Sequence, residues 1–290
     1  MGEIVAVTGV TGDVGGKTAE LLRAAGVTVR AVVRRPEQVD ALRARGIDGR
    51  LADLDDEDAL TAALDGADRF FLVTPVSQRQ REQGASGVRA AQRAGVGRIV
   101  QLSGGDAAEH SPMSWASAAW HTDRLVRESG LAWTILHPSS FMTNVQPSAP
   151  AIRRGWFPHT TGRGVIGWID TEDIARTAAR VLTEDSHDGT EPVLTGPDLL
   201  DARGVAAALA EGLGRPVRPL HLPSRVYAAV LRLSGVPAWQ AEGLRQQFGR
   251  VVRRGLDGVD VMSADVLRIT GTAPRSLADW ARAHRDDLLG

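Results

Sequence analysis

The sequence contains no cysteine among its 290 residues. Structural disulfides, thiolate catalysis and cysteine-ligated metals are therefore excluded. The histidines and carboxylates show no ligand spacing either, so we expect no metal site. Charges of the two signs nearly cancel, giving a formal net charge of −1, and no basic block or stripe is present. Nucleic acid therefore has no electrostatic reason to be the main partner.

Long hydrophobic runs are also missing. No apolar run approaches the roughly 18 residues that a membrane span requires, and the chain begins with a strand pattern instead of the layout of a signal peptide. We therefore expect a cytoplasmic protein that does not bind membranes. With 43% hydrophobic residues, the chain is able to bury a large core, and its length suits one extended α/β domain with or without a small lobe.

Short apolar runs alternate with helix-like stretches in the first half of the chain. The runs are nearly continuous in apolar residues, which is typical of strands buried on both faces. They occupy residues 4–7, 27–33, 70–73, 99–102 and 133–136, with a weaker run at 49–52. Because strands that alternate with helices build parallel sheets, we predict an α/β fold with a Rossmann-type doubly wound parallel sheet.

The pattern changes from about Gly155 onward, where amphipathic helices are separated by glycine and proline. The predicted helices cover residues 170–182, 201–213, 224–234, 238–252 and 276–288. We therefore predict a Rossmann domain over residues 1–154. A smaller, mainly helical lobe would cover residues 155–290, and some of its strands would return to the main sheet.

Three glycines, Gly9, Gly12 and Gly15, lie between the first strand and the first helix. In that context the first glycine permits a tight turn, the second lets the backbone approach a pyrophosphate, and the third allows close helix packing. The N–H groups at the helix N-terminus favour phosphate. The turn thus predicts a dinucleotide site. The residues predicted to form it are Thr8, Gly9, Thr11, Gly12, Asp13, Val14 and Gly15.

The second strand is followed by Arg34 and Arg35, where NAD-specific folds carry an acidic residue about 20 residues past the glycines. Guanidinium groups suit a 2′-phosphate by their charge and forked donors, so the predicted cofactor is NADP(H). The alternative is that both are surface arginines at the start of a helix. After the third strand, Asp53 either accepts a hydrogen bond from the adenine amino group or caps the next helix, and both uses are compatible.

Together with other segments, these features resemble the NmrA-like branch of the atypical short-chain dehydrogenases. The segments cover nearly the whole chain and are residues 8–15, 33–36, 52–54, 72–75, 129–138, 141–144, 169–175 and 194–197. The family implies an NAD(P)-binding Rossmann domain and a small C-terminal substrate lobe. Its members include quinone and isoflavonoid-type reductases and also redox-sensing regulators, so membership does not by itself establish catalysis.

The resemblance also implies further cofactor contacts, at Asp53, Leu54, Thr74, Pro75, Ser103, Pro138 and Ser139. Thr74 and Pro75 would lie beside the central part of the cofactor, and Pro138 with Ser139 beside the nicotinamide. Ser103, at the end of the fifth strand, matches the usual catalytic serine. Its alternative role is that of an ordinary strand-terminal hydroxyl.

The Tyr-x-x-x-Lys pair of ordinary short-chain dehydrogenases has no counterpart on the helix after the fifth strand. Counting back from residues 129–130 puts the two positions at Trp115 and Ala119, neither of which exchanges a proton. The only tyrosine, Tyr227, falls in the second lobe. Reduction of a simple ketone, which creates an alkoxide that needs an acid at once, is therefore disfavoured. A quinone, an activated enone or an iminium ion accepts hydride to give a delocalised or neutral product.

His110, in the loop after Ser103, is the remaining acid candidate; the alternative is a histidine without a catalytic role. An apolar, aromatic-friendly substrate pocket is predicted from Met113, Trp115, Phe141, Met142, Trp156 and Phe157, which alternatively form plain core. Asp170 and Asp173 are interpreted as helix-capping residues.

The sequence therefore favours an NADPH-dependent reductase of a small conjugated or iminium-type molecule, namely a quinone, an enone or a cyclic imine. The expected partner is an apolar or aromatic small-molecule substrate. Two alternatives remain. One is a non-catalytic NADP(H)-sensing regulator, which needs a protein partner. The other is a cyclase or isomerase that retains the dinucleotide-binding fold.

Overall fold

Short, mostly apolar segments form the strands of a computed structural model that describes residues 2–255 and 261–290. The strands are β1 (Ile4–Val7), β2 (Thr28–Val33), β3 (Asp48–Leu51), β4 (Arg69–Leu72), β5 (Arg98–Leu102), β6 (Ala132–Pro138), β7 (Trp156–His159), β8 (Val193–Leu194) and β9 (Arg218–His221). Seven of them form one sheet in the order β3-β2-β1-β4-β5-β6-β8.

Strand β1 is an interior strand of this sheet and pairs in parallel with both β2 and β4. The pairs β2–β3, β4–β5 and β5–β6 are parallel as well. Because parallel strands end at the same edge of a sheet, the loops after β1 to β6 share one edge. The strand order reverses beside β1, which is where open α/β sheets bind their ligands. The predicted fold class is confirmed.

Helices follow most strands and extend through the second half of the chain. They are α1 (Asp13–Ala24), α2 (Pro36–Ala44), α3 (Glu57–Leu64), α4 (Gln80–Arg93), α5 (Ser114–Arg127), α6 (Ala149–Ile152), α7 (Thr171–Thr183), α8 (Ala202–Leu213), α9 (Ser224–Leu233), α10 (Ala238–Gln246), α11 (Asp265–Thr270), α12 (Leu277–Ala283) and α13 (Arg285–Leu289). Among these residues no helix is long and apolar enough to cross a membrane.

Two of the predicted helices differ from what the structure shows. The helix expected over residues 238–252 is α-helical only to Gln246, and a π-helical segment, Gln247–Val252, continues it. The helix expected over residues 276–288 is interrupted at His284, whose φ of −105° ends α12 before α13 begins. Side-chain caps mark two of the predicted starts. Asp201 accepts from the backbone N–H of Gly204 at 2.8 Å, and Ser276 accepts from that of Asp279 at 3.1 Å.

The chain divides into two compact units, each built from three separate stretches. The first unit comprises Met1–Glu109, Trp115–His137 and Ile174–Pro192, and the second comprises His110–Ser114, Pro138–Asp173 and Val193–Gly290. A single boundary between residues 154 and 155, as expected from the sequence, does not describe this division. The reason is that the chain changes unit directly after His137, near the end of β6, and returns to the first unit over Ile174–Pro192, which includes most of α7, before changing again.

Each unit has its own hydrophobic core. In the first unit Phe70 and Leu72 of β4 pack with Leu60 and Leu64 of α3 and with Ile99 of β5, all fully buried. Burying such side chains contributes roughly 1.5–3 kcal/mol each. In the second unit the core is centred on Trp280, which packs with residues of α8 and α12. These cores hold the strand ends, and therefore the loops that follow them, in place.

Candidate active site

The turn after β1 has the backbone geometry that its glycines predict. Gly9 has a φ of +68°, a region that side chains disfavour, and its carbonyl accepts from the N–H of Gly12 at 2.9 Å. A Cβ on Gly15 would lie 2.5 Å from the carbonyl oxygen of Gly9. Only glycine at position 15 therefore lets the helix start this close to the turn.

The turn is fastened to the end of β4 by Thr8. The Thr8 Oγ1 accepts from the N–H of Val73 at 2.8 Å and donates to the Val73 carbonyl at 3.1 Å. The N–H of Thr8 also donates to the Phe71 carbonyl at 3.1 Å. A Cβ on Gly9 would meet the Val73 Cγ1 at 2.9 Å. The loops after β1 and β4 are thus held against each other.

The N-terminus of α1 presents backbone N–H groups at this turn. Gly12 is the N-cap residue and offers no side chain to cap the helix. The first helical bond runs from the N–H of Gly16 to the Gly12 carbonyl at 3.0 Å, so the N–H groups of Asp13, Val14 and Gly15 have no acceptor inside the helix. Such a backbone surface, which a Cβ would fill, fits a diphosphate.

Arg34 and Arg35 follow β2, and both are exposed. Arg35 is the N-cap residue of α2 and forms an ion pair with Glu37 at 3.4 Å. Within residues 2–255 and 261–290, no acidic group pairs with Arg34. An exposed guanidinium at the end of β2 has the charge that a 2′-phosphate requires; the contact itself stays a prediction.

Asp53 and Leu54 follow β3 and are half-buried. One of the two uses expected for Asp53 is wrong. The N-cap of α3 is Asp56, whose Oδ1 accepts from the N–H of Ala59 at 3.0 Å. The Oδ1 of Asp53 instead accepts from the N–H of Asp55 at 3.0 Å. The difference arises because the loop after β3 is three residues longer than a cap at Asp53 requires. The predicted adenine contact of Asp53 stays a prediction.

Thr74 and Pro75 follow β4 at the same edge of the sheet. Thr74 is half-buried and accepts from the Nε2 of Gln80 at 3.4 Å, whereas Pro75 is exposed. Their predicted position beside the cofactor is consistent with the register of β1 and β4, since Val7 lies opposite Phe71. The contacts of both residues with a cofactor stay predictions.

Ser103 is the first residue after β5, and its hydroxyl contacts a buried carboxylate. The N–H of Ser103 donates to the Leu136 carbonyl at 2.9 Å, and its Oγ donates to the Oδ2 of Asp123 at 2.9 Å. Asp123 lies on α5 and is only 1% exposed. Its other oxygen, Oδ1, is buried and has no hydrogen-bond partner in the described part of the chain. Burial raises the pKa of Asp123 to about 6, although the charge of His137 and the hydrogen bond from Ser103 oppose this.

Asp123 was not among the residues that the sequence singled out. It lies seven residues after Ala116 and four after Ala119, both buried, so it shares their face of α5. A carboxylate on the apolar face of a helix is the signal that would have identified it, because an isolated buried charge is costly. The sequence instead drew attention to the Trp115 and Ala119 positions, where a tyrosine and a lysine are usual.

A second ionisable group, His137, lies next to this pair. His137, at the end of β6, places its Nδ1 3.1 Å from the Gly104 carbonyl and its Nε2 3.0 Å from the Oε2 of Glu191. Arg127 of α5 binds both Glu191 oxygens, at 2.6 and 2.8 Å. The hydrogen bond from Arg127 lowers the pKa of Glu191, in opposition to its burial. Together these residues form a charged cluster near the end of β6.

The six residues predicted to line a substrate pocket have different environments. Met113 and Met142 are buried, Phe141 is half-buried, and Trp156 of β7 is 41% exposed. Trp115 begins the first turn of α5 and is half-buried. Met142 belongs to the core of the second unit, which agrees with the alternative that the sequence left open for it.

Phe157 lines a cavity inside the second unit. The cavity measures about 30 Å³, and its walls include Phe157, His159, Thr160, Trp168, Tyr227 and Phe248. This volume holds about one water molecule. The Thr160 Oγ1 and the Trp168 Nε1 are buried without a hydrogen-bond partner among the residues described. Burial raises the pKa of Tyr227 to about 12, so the only tyrosine is a neutral packing residue.

The remaining predicted residues lie in the second unit. Pro138 ends β6, and the N–H of Ser139 donates to the Leu194 carbonyl at 2.9 Å. His110 is exposed and belongs to the stretch His110–Ser114. The proposed roles of these residues in binding and catalysis stay predictions.

Asp170 and Asp173 stabilise the start of α7, as the sequence indicates. The Oδ1 of Asp170 accepts from the N–H of Glu172 at 3.1 Å. The Arg275 guanidinium donates to the Oδ2 of Asp170 at 2.6 Å, and the backbone N–H of Arg275 donates to the Oδ2 of Asp173 at 2.7 Å. In the part of the chain that the structure covers, no group of three or more metal-ligating side chains comes together.

A parallel sheet with a glycine turn at its switch point defines a dinucleotide-binding protein of the Rossmann class. Comparison with known families identifies a match to the NAD(P)H-binding family over residues 9–185. NAD(P)H azoreductase from Xenophilus azovorans is 34% identical, with 97% of this chain and 98% of the relative aligned. Quinone oxidoreductase 2 from Escherichia coli strain K12 is 33% identical over 83% of this chain and 85% of the relative.

Among solved structures, the crystal structure of the NADPH-dependent quinone oxidoreductase QOR2 from Escherichia coli, complexed with NADPH, superimposes with a TM-score of 0.87. The two chains are 30% identical, and the alignment covers 96% of this chain and 99% of the other. The chain belongs to the NAD(P)H-binding family. It is an oxidoreductase, as the sequence predicted.

Proposed function

We propose that this protein is an NADPH-dependent reductase whose acceptor is a small conjugated molecule, such as a quinone, an azo compound or an enone. The observation that carries the proposal is a pairing of features in the first unit. The phosphate-binding turn is complete, whereas α5, the helix that bears the usual catalytic pair, contains neither tyrosine nor lysine. The chain thus has the means to hold a hydride donor but lacks the standard means to protonate an alkoxide.

The residues at the carboxyl edge of the sheet fit NADPH. The N–H groups of Asp13, Val14 and Gly15 would bind the diphosphate, and the Arg34 guanidinium would bind the 2′-phosphate. Bound NADPH supplies hydride. The preference for NADPH over NADH rests on Arg34, because an arginine directly follows β2 at the position where an acidic side chain would bond a free 2′-hydroxyl.

The acceptor class follows from the charge that hydride addition creates. A simple ketone becomes an alkoxide, whose strong basicity requires an acid of the tyrosine–lysine kind. A quinone or an azo bond becomes an anion that is spread over a conjugated system and is far less basic. The names of the two relatives, an azoreductase and a quinone oxidoreductase, support such an acceptor for this chain.

The proposal is tested by following NADPH oxidation at 340 nm with matched acceptors. We expect turnover with a benzoquinone, an azo dye or an enone, and at least about 100-fold less with a saturated ketone of similar size, in line with the contribution of a missing general acid. Replacing NADPH with NADH should lower kcat/KM by at least about tenfold, the value of one charge-assisted hydrogen bond.

The matched control is Gly12→Ala, which fills the surface that the diphosphate approaches and should lower kcat/KM for NADPH by at least about tenfold with every acceptor. Tight binding of NADPH with no oxidation by any acceptor class would refute the reductase and favour the NADP(H)-sensing regulator. Turnover of the saturated ketone at the rate of the quinone would refute the acceptor class.

A further inference from the structure

We propose that Ser103 and Asp123 form a proton relay that takes the place of the tyrosine–lysine pair. The hydroxyl of Ser103 protonates the reduced acceptor while, in the same step, the carboxyl of Asp123 reprotonates Ser103. This inference rests on the proposed reductase function and adds a named proton donor to it.

The geometry provides the relay with a direction. Ser103 is half-buried and directly follows β5. It therefore lies at the carboxyl edge of the sheet, which is the edge that also carries the glycine turn. Asp123 lies behind it on α5, almost completely buried and 2.9 Å from the Ser103 Oγ. Asp123 therefore reaches an acceptor only through Ser103. Ser103 is the catalytic residue, and Asp123 is the residue that positions and reprotonates it.

The environment of Asp123 favours its protonated form more than water does. No cation donates a hydrogen bond to it, and its Oδ1 has no partner among the described side chains and backbone groups. The charged groups that act on it are His137 at the end of β6, Arg127 on its own helix, and Glu191. Arg127 is bonded to Glu191 on both oxygens, so its charge is largely balanced there. A carboxyl group in this position is able to hold a proton in mildly acidic to neutral solution.

The proton step balances as follows for a quinone. Hydride addition reduces the quinone and oxidises NADPH, leaving a hydroquinone monoanion. The Ser103 O–H bond breaks as a new O–H bond forms on the product oxygen. At the same time the Asp123 O–H bond breaks and the Ser103 hydroxyl is re-formed. Asp123 is left as a carboxylate, and a proton from solvent restores it before the next turnover.

A cationic acceptor separates this role from cofactor and substrate binding. A triarylmethane cation or an iminium ion becomes neutral when it accepts hydride, so its reduction needs no proton. Loss of a proton donor must therefore slow the quinone and spare the cation, whereas damage to the fold or to the cofactor site must slow both.

The experiment compares kcat for a benzoquinone and for a cationic triarylmethane dye in the full-length enzyme with saturating NADPH. We expect Ser103→Ala and Asp123→Asn to lower kcat for the quinone by at least about 100-fold, the usual effect of a general acid. The rate with the cation should stay within about threefold under the same reasoning. Ser103→Thr, which keeps a hydroxyl, should restore most of the quinone rate.

Two further variants serve as controls. Thr134→Val removes another buried hydroxyl of the first unit, which donates to the His187 carbonyl at 2.8 Å, and should change neither rate. His110→Ala tests the competing donor. Selective loss of quinone reduction in His110→Ala, with Ser103→Ala unaffected, would overturn the relay, as would an equal loss for both acceptors in the Ser103 and Asp123 variants.

A readout that does not depend on turnover is the titration of Asp123 itself. In protein labelled with ¹³C at the aspartate carboxyls, one resonance should titrate near pH 6 and be missing from Asp123→Asn. The wild-type kcat for the quinone should fall as the pH rises through this range, while that for the cation stays flat. Titration of every aspartate below pH 5 would overturn the proposal. No turnover of either acceptor by the wild type would instead refute the reductase function.

Discussion

Arg69 and Arg98 lie directly opposite each other on β4 and β5, and both are bound to the carboxylate of Asp185. The two guanidiniums are nearly buried, at the amino ends of their strands, on the edge of the sheet opposite the glycine turn. Arg98 also donates to Asp188 at 2.7 Å and to the Glu184 carbonyl at 2.9 Å. These bonds join the segment after α7 to the middle of the sheet.

Removal of the Arg98 guanidinium should destabilise the first unit. In Arg98→Met the apolar stem remains, but the carbonyl of Glu184 and the carboxylate of Asp188 lose this donor, and the carboxylate of Asp185 keeps only Arg69. Because those carboxylates are able to rehydrate, we expect a loss of about 1–3 kcal/mol in the free energy of unfolding, measured by urea denaturation. The matched control is Arg89→Met, which removes an exposed ion pair with Glu57 and should cost less than about 1 kcal/mol.

The glycines of the turn should separate folding from cofactor binding. Gly15→Ala would bring its Cβ to 2.5 Å from the Gly9 carbonyl oxygen, and this overpacking should cost about 1–3 kcal/mol of stability as well as binding. In Gly12→Ala the nearest atom would be 3.3 Å away. We expect that variant to unfold within about 1 kcal/mol of the wild type and yet to bind NADPH at least about tenfold more weakly. Equal unfolding curves for the two variants would contradict this account.

Arg34 should determine which dinucleotide is preferred. Arg34→Ala should raise the Kd for NADPH by about 10–100-fold, the value of one or two charge-assisted hydrogen bonds, and leave that for NADH nearly unchanged. Calorimetric titration measures both. Since Arg34 is exposed, added salt should weaken NADPH binding by the wild type. Arg35→Ala should have the smaller effect, because Arg35 is already paired with Glu37.

The pH dependence of stability should reveal the buried carboxyl of Asp123. Its folded-state pKa of about 6 lies above the ordinary value of 3.8, so the folded protein binds the proton more tightly than the unfolded chain does. Stability should therefore fall as the pH rises from about 4 to about 7, by up to roughly 3 kcal/mol from this group. Asp123→Asn should remove that slope and be the more stable protein at pH 8. Parallel stability curves for the two proteins would show that the carboxyl is ordinary.

Thr160 offers a test of the small cavity in the second unit. Its hydroxyl is buried without a partner among the residues of the structure, so Thr160→Val, which keeps the shape of the side chain, should raise the unfolding free energy by about 1 kcal/mol. Phe157→Ala at the same cavity should lower it by about 3–5 kcal/mol. Thermal unfolding compares both with the wild type. A destabilised Thr160→Val would show that the hydroxyl has a bonding partner, such as a bound water.

The sequence was sufficient to predict six of the seven strands of the sheet and the glycine turn. Both depend on local signals: continuous apolar runs for the buried strands, and glycines at a fixed spacing after the first of them. The helix start at Asp201 follows from the same kind of signal, because a capping side chain acts within a few residues.

The parts that the sequence did not predict depend on residues far apart in the chain. The pair of Ser103 and Asp123 brings together positions 20 residues apart, and the contact of His137 with Glu191 spans 54. The division into two units of three stretches each has no local signature. For Asp53 the local signal itself was ambiguous. A capping role was one of the two roles expected for it, but Asp56 offers the same capping chemistry three residues later and is the N-cap residue.

The contact of Val73 with the glycine turn has a consequence for altering this protein. The side chain of Val73 packs against Gly9, and the backbone N–H and carbonyl of Val73 both form hydrogen bonds with the Thr8 hydroxyl. A larger or smaller residue at position 73 would shift the glycine turn, because the Val73 side chain lies against Gly9. Libraries aimed at a different nicotinamide donor should therefore randomise position 73 together with Arg34. Position 73 affects the shape of the glycine turn, and Arg34 is the residue proposed to bind the 2′-phosphate.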